Sequence, residues 1–291
     1  MHNVLLDLDM HLTRITKNIL KTHAPTVVSV MPKALLRFIE PTIKSDYKRI
    51  LFSKSSFVRE FSLNLAGINF VFLSGPSDDY YTHMCTTFEP TSLTYLNKWM
   101  EVSGRSETSV DVGSYTGLFS IIGALSGAKV IAFEPNRYVY NRMKANIERN
   151  QLKDLVTLNP VALGDATSYS RSLIPRNQFY SSGFQLELSP TERDLSGWVM
   201  SEPVYVSTLD FELCDLNSSV GALKIDAEGF ELEILQGGKH LLIDHKPTIF
   251  LECLSSDRLE QCISYITSLE IQIQSIDYVD KDHNNYIIYL V

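Results

Sequence analysis

The sequence predicts an α/β fold built on a largely parallel sheet, and three observations carry that prediction. From Ser109 onward, short apolar runs alternate with amphipathic stretches of helical period. The first of these runs, Val110-Asp111-Val112, leads into a glycine-bearing turn, Gly113-Ser114-Tyr115-Thr116-Gly117. The second, Lys129-Val130-Ile131-Ala132-Phe133, ends on an acid, Glu134, followed by Pro135 and Asn136. Strands joined by helices must pair in parallel through right-handed crossovers.

Taken in order, the pattern predicts strand 109–113, helix 117–126, strand 129–134, helix 137–150 and strand 155–158. A polar, Ser-rich stretch over 165–203, carrying Phe179, Tyr180, Phe184 and Trp198, then interrupts the alternation. An insertion of that length in a compact domain reads as a lid or binding element. Beyond it come strands 204–207 and 221–226, a helix from about 229, strand 248–253, a helix over 256–268, and closing strands 270–277 and 285–291. Upstream, Phe61, Leu63 and Leu65 alternate before Ala66-Gly67, and Ile68, Phe70 and Phe72 after it, which predicts a β-hairpin. Glu89-Pro90 opens a helix carrying Leu93, Leu96 and Trp99 and ending near Gly104. Leu5, Leu8, Leu12, Ile15 and Ile19 form one helical stripe, which either packs on the chain's own domain or makes a helix–helix homodimer seam. The expected organisation is an N-terminal helical extension over 1–56, a hairpin and helix over 57–104, and the α/β domain over 105–291 with its insertion at 165–203.

Composition narrows the function classes. With 44% hydrophobic residues the chain has material for a full core, and a formal net charge of −8 offers no broad attraction to nucleic acid or anionic lipid. No apolar run approaches the roughly 20 residues a membrane helix needs, and the first residues lack a signal pattern, so a soluble cytoplasmic protein is expected. Cys85, Cys214, Cys253 and Cys262 are scattered without C-x-x-C spacing, as reduced, packed thiols are. His240 and His245 do not match H-E-x-x-H, no metal site is expected, and no serine nucleophile elbow occurs.

The candidate binding residues sit at strand ends. A turn between a buried strand and a helix needs glycines so that backbone and ligand approach closely. Dinucleotide folds place a further glycine where this chain has Asp111, whose charge repels a phosphate but suits an ammonium, such as that of S-adenosylmethionine (SAM). Glu134, about 20 residues beyond the turn, is placed to accept both hydroxyls of a ribose. Ala162-Leu163, after the third strand, would line the adenine pocket. Asp226 and Glu228 stand at the end of strand 221–226, where open α/β sheets bind ligands, and either serves as a base or in positioning an acceptor. Lys224 shares the face of Asp226 by strand alternation and would pair with a carboxylate, and Glu252 ends the next strand.

These residues resemble the FkbM-type methyltransferase family. The resemblance is carried by Asp111-Val112-Gly113-Ser114-Tyr115-Thr116-Gly117, Ala132-Phe133-Glu134-Pro135-Asn136, Val161-Ala162-Leu163-Gly164-Asp165 and, most specifically, Leu223-Lys224-Ile225-Asp226-Ala227-Glu228-Gly229-Phe230-Glu231-Leu232-Glu233-Ile234-Leu235. It implies a Rossmann-like SAM-dependent methyltransferase fold: a mixed, mostly parallel seven-stranded sheet with helices on both faces, here preceded by a helical and hairpin extension. It also implies SAM as cofactor and O-methylation of a small-molecule or glycan hydroxyl, on a sugar, lipid-linked or secondary-metabolite acceptor. The cofactor set is then Asp111, Gly113, Ser114, Tyr115, Gly117, Glu134, Pro135, Asn136, Ala162 and Leu163, and the catalytic set Asp226, Glu228, Lys224 and Glu252. Ser114-Tyr115 departs from the family's usual Ala-Asn. Two rivals share the layout: an NAD-dependent oxidoreductase, disfavoured by Asp111, and an inactive scaffold, disfavoured by the retained Asp226 and Glu228.

Overall fold

The structure is a computed structural model and describes residues 59–74, 90–175, 185–186, 198–253, 255–280 and 284–291. The stripe from Leu5 to Ile19, with its dimer seam, lies outside the described residues, as do Cys85, Phe179, Tyr180 and Phe184.

Period-two alternation folds the first described segment into a hairpin of β1 (Arg59–Leu65) and β2 (Ile68–Ser74), with Leu65 opposite Ile68 across the Ala66-Gly67 turn. Leu63, Leu65, Phe70 and Phe72 are buried while Ser62 and Asn64 are exposed, as a sheet with one covered face requires. Helix α1 (Pro90–Ser103) follows. The alternating core then runs β3 (Thr108–Val112), α2 (Leu118–Leu125), β4 (Lys129–Phe133), α3 (Arg137–Arg149) and β5 (Val156–Asn159).

A second sheet comes next: β6 (Ala162–Leu163), β7 (Ser168–Pro175), β8 (Gln185–Leu186) and β9 (Trp198–Ser207), in the order β6-β9-β7-β8. The strand expected at 204–207 therefore starts at Trp198, and part of the supposed lid is sheet. The Ser-rich sequence of β7 obscured its alternation. Pro203 in β9 pairs with Arg171 beside a register shift, where a missing N–H is tolerated.

The chain returns through α4 (Leu209–Glu212), β10 (Val220–Ile225), α5 (Glu231–Gln236), α6 (Lys239–His245), β11 (Thr248–Glu252), α7 (Ser256–Ser268), β12 (Ile273–Asp280) and β13 (Asn285–Leu290). The single helix expected from 229 is two, broken at Gly237-Gly238. A Cβ on Gly237 would lie 2.0 Å from the Gly164 carbonyl oxygen, so the break lets the helix pair press against the end of β6.

The main sheet has seven strands in the order β12-β13-β11-β10-β3-β4-β5; β13 is antiparallel to both neighbours and the other pairs are parallel. Chain order reverses between β3 and β10, and the carboxyl ends of these strands frame the crevice where such sheets hold ligands. Each face carries a core. Phe72, Trp99, Ile121, Met143 and Phe250 fill one, and Leu209, Leu223, Ile225, Ile234 and Leu251 fill the other. Trp99 clamps α1 to the sheet: it is fully buried, its ring meets Phe250 edge-on at 5.2 Å, and its Nε1 donates to the Phe119 carbonyl at 2.9 Å. Burying a side chain of this size is worth about 1.5–3 kcal/mol, and each edge contact roughly 0.5–1.5 kcal/mol more. No described helix is long and apolar enough to cross a membrane.

Candidate active site

The end of β3 and the turn after it are held by backbone. Gly113 and Ser114 N–H both donate to the Phe133 carbonyl, at 3.0 and 3.1 Å, and Gly117 N–H donates to the Ser114 carbonyl at 2.8 Å. Gly113 has φ +70°, and a Cβ there would lie 1.8 Å from the Asp226 carbonyl oxygen. Only glycine lets the turn touch the end of β10 so closely. The Ser114 hydroxyl donates to the Asp111 carbonyl at 2.6 Å, so Ser114 stitches the turn internally. Tyr115 sits at φ 50°, a left-handed conformation unusual for a tyrosine and typical of strain kept at a binding loop.

That strained geometry aims the Tyr115 N–H at Glu134 Oε2, 2.8 Å away, while the Asn136 N–H donates to Oε1 at 2.8 Å. Glu134 is 5% exposed, and burial pushes its carboxyl up to about 7 against the pull of those two amides. Each oxygen keeps a lone pair beyond its amide, which is the acceptor pair a ribose diol needs. With a glycine turn open to close approach and this fixed carboxylate beside it, the residues fit the adenosyl portion of SAM.

Asp111 is fully buried. Its Oδ2 accepts from Ser120 Oγ at 2.6 Å, and its Oδ1 lies 3.7 Å from Lys224 Nζ. That oxygen has no hydrogen-bond partner among the described residues. Ala162 and Leu163 are buried as well: Ala162 packs with Val204 and Val206, and Leu163 joins the core that contains Leu209. Their side chains serve packing, which leaves only their backbone for an adenine. Pro135 is half-buried beside Asn136.

The second half of the cleft is built from side chains. Lys224, 3% exposed, donates to Asp226 Oδ2 at 3.2 Å and to the Gly113 carbonyl at 3.4 Å, and stands 4.9 Å from the Phe119 ring centre. Burial opposes its charge, but Asp226 and Asp111 outweigh burial and hold it firmly as an ammonium. Asp226, by contrast, is 35% exposed at its side chain. Glu252 lies one position past the Ile225–Leu251 pairing of β10 and β11. Burial and the neighbouring Asp226 charge push its carboxyl up to about 9, so at neutral pH it is a hydrogen-bond donor and not a base. Glu228 takes φ 54° and Gly229 φ 102°, a tight turn at the edge of the crevice.

Several residues of the site carried no signal of their own. Arg258 from α7 donates to the Gly229 carbonyl at 2.7 Å and pairs with Glu233, while buried Glu231 accepts from Gly229 N–H at 2.8 Å; together they pin the turn bearing Glu228. Tyr95 from α1 is wedged edge-on between Phe119 and Phe250, at 5.8 and 5.4 Å. Burial, then the charges of Asp226, Glu252 and Asp111, raise its phenol well above the ordinary value. A helical i, i+4 spacing of Tyr95 and Trp99 was the one available hint.

His240 N–H and Leu241 N–H are both capped by Asp210, at 2.9 and 3.0 Å, and His245 Nδ1 accepts from Val220 N–H at 3.3 Å. Asp210 thus caps the start of α6, and the His245 ring ties the end of that helix to the start of β10. No cluster of three or more metal-ligating side chains occurs among the described residues. Cys253 and Cys262 are buried free thiols, but Cys214 is exposed, because it falls in the surface turn after α4.

A model of the methyltransferase FkbM domain matches residues 111–287. Among solved structures, an FkbM methyltransferase from Methylobacillus flagellatus is similar at 19% identity and TM-score 0.45, over 69% of this chain and 53% of that one. The chain thus spans about half the length of that protein. A Pyrococcus abyssi tRNA (uracil-54, C5)-methyltransferase in complex with S-adenosyl-L-homocysteine (SAH) is similar at 15% identity and TM-score 0.43, over 80% of this chain and 44% of that one. A Bacillus cereus O-methyltransferase in complex with SAH is similar at 14% identity and TM-score 0.41, over 70% and 82%. No curated protein matches the chain. By its matched domain, this chain belongs to the FkbM methyltransferase family.

Proposed function

We propose that the chain is an O-methyltransferase acting on the hydroxyl of a neutral small-molecule or glycan acceptor, with Asp226 as the base. The observation that supports this reading most is Asp226 itself: a part-exposed carboxylate, tethered by a buried lysine, whose backbone touches the glycine turn. When bound, SAM would supply an electrophilic methyl group on a sulfonium, its methyl–sulfur bond breaking to leave SAH as the bond to the acceptor oxygen forms. Glu134 would accept the ribose hydroxyls, Gly113 and Gly117 would admit the nucleoside, and Tyr115, Pro135 and Asn136 would shape its rim. Asp111, fully buried, would hold Lys224 in place.

An acceptor hydroxyl placed against Asp226 would hydrogen-bond to the carboxylate and give up its proton as the new C–O bond forms. Lys224 keeps Asp226 oriented and damps the negative charge around it. Glu252, as a neutral acid, and Glu228, on its pinned turn, would then orient other polar groups of the acceptor. Such a rim of carboxyl groups disfavours phosphate or carboxylate acceptors and favours polyols.

The test is methyl transfer from radiolabelled SAM to extract-derived hydroxyl acceptors, run with the wild-type chain and with Asp226→Asn. The variant is expected to lose roughly 10²–10⁴-fold in turnover, the usual contribution of a positioned base, while SAH affinity stays within about threefold. Undiminished turnover by Asp226→Asn would remove Asp226 from the chemistry.

A further inference from the structure

The hairpin of β1 and β2 stands ahead of the family-matched region, yet it is wired into the cofactor turn. As a two-stranded sheet it leaves the outer edge of β2 without a strand partner among the described residues. The N–H and C=O groups on that edge need other partners. Two asparagines one turn apart near the end of α3 supply them. Asn150 accepts from Val71 N–H at 2.8 Å and donates to the Val71 carbonyl at 2.6 Å. Asn146 does the same for Leu73, accepting at 2.6 Å and donating at 3.1 Å. The match is geometric, since four helical residues rise about 6 Å and two strand residues about 6.8 Å.

The two amides differ in their remaining hydrogen bond. Asn150 Nδ2 turns back to the Asn146 carbonyl at 2.8 Å. Asn146, fully buried, donates instead to the Thr116 carbonyl at 2.9 Å, inside the turn between Gly113 and Gly117. Thr116 is itself buried, and its hydroxyl has no hydrogen-bond partner among the described residues, so its carbonyl is its polar tether.

We propose that Asn146 is a positioning residue for the cofactor turn, and that hairpin docking and cofactor occupancy are coupled through it. The coupling rests on the reading that this turn and Glu134 hold the adenosyl group. By linkage it runs both ways: a docked hairpin tightens binding, and bound cofactor holds the hairpin down.

The experiment uses the full chain with SAH as probe. Asn146→Asp keeps the acceptor for Leu73 N–H but loses both donors, whereas Asn150→Asp damages the hairpin edge equally and leaves Thr116 alone. In calorimetric titration, Asn146→Asp is expected to weaken SAH about 10-fold, the worth of one good buried hydrogen bond, and Asn150→Asp by less than about threefold. In the wild-type chain, saturating SAH is expected to slow amide hydrogen exchange at Leu73 several-fold and leave the β12–β13 amides unchanged. This second measurement decides the matter if Asn146→Asp does not fold. Equal SAH affinity of the two variants, or unchanged exchange at Leu73, overturns the coupling while sparing the cofactor site. A wild-type chain that fails to bind SAH overturns the cofactor reading and the coupling with it.

Discussion

Glu134 at the tip of β4 and Asp226 at the tip of β10 are carboxylates on the same edge of one sheet, but they are held by different physics. Both Glu134 oxygens accept backbone N–H groups, from Tyr115 and Asn136, and the side chain is 5% exposed. Asp226 is held by the side chain of Lys224, which in turn depends on Asp111 across the sheet. The Glu134 half of the cleft, the cofactor half in the proposed function, therefore rests on local main-chain geometry. The Asp226 half, the acceptor half in that proposal, rests on charges brought in from separate strands, and loses its balance when one of them is removed.

The severest test of that contrast is Lys224→Met. It leaves Asp111 buried with only Ser120 as partner, so unfolding in urea is expected to show a loss of about 3–5 kcal/mol. A loss below about 1 kcal/mol would mean that charge pairing does not hold the acceptor half together.

Glu134→Gln probes the other side. A glutamine cannot accept from both amides, and SAH affinity is expected to fall roughly 10–100-fold with little change in stability. Because burial raises the wild-type carboxyl to about 7, the free protein is partly protonated at neutral pH. Ribose hydroxyls favour the ionised form, so SAH affinity rises between pH 6 and 8 and levels off above. In calorimetry that rise should vanish in Glu134→Gln; if the variant kept it, another group would be responsible.

The smallest effect sharpens the comparison within the acceptor half. Glu252 has a folded value raised from 4.5 to about 9, so its favourable contribution to stability is present below 4.5 and is lost as pH rises towards 9. Glu252→Gln mimics the protonated acid. It is expected to melt higher than wild type at pH 8 and at the same temperature near pH 4. A pH-independent difference would show that Glu252 is not a buried neutral acid.

The same division explains what was legible beforehand. The glycine turn, the acid after β4 and the β1–β2 hairpin are written in residues close together in sequence, and each emerged where expected. Lys224 was legible as a partner of Asp226 because the two are separated by a single strand residue. Arg258, Tyr95 and Asn146 were not, since each meets a group far away in the chain: Gly229, Phe250 and Thr116. The strand β7 and the start of β9, before residue 204, were hidden in a Ser-rich stretch whose pairing only register reveals. The break between α5 and α6 was hidden because its cause, the Gly164 carbonyl, comes from another element.

By itself, the order of residues determined the α/β architecture, the turn at Gly113 to Gly117 and the placing of an acid, Glu134, at the end of β4. Those features depend on backbone conformation and periodicity, which neighbouring residues dictate. Tertiary structure alone decided which carboxyl groups are neutral, which lysine is buried among them, and what steadies the turn from behind. Burial and electrostatic pairing depend on distances through space, and these arise only when strands β3, β10 and β11 and helices α1, α3 and α7 are brought together.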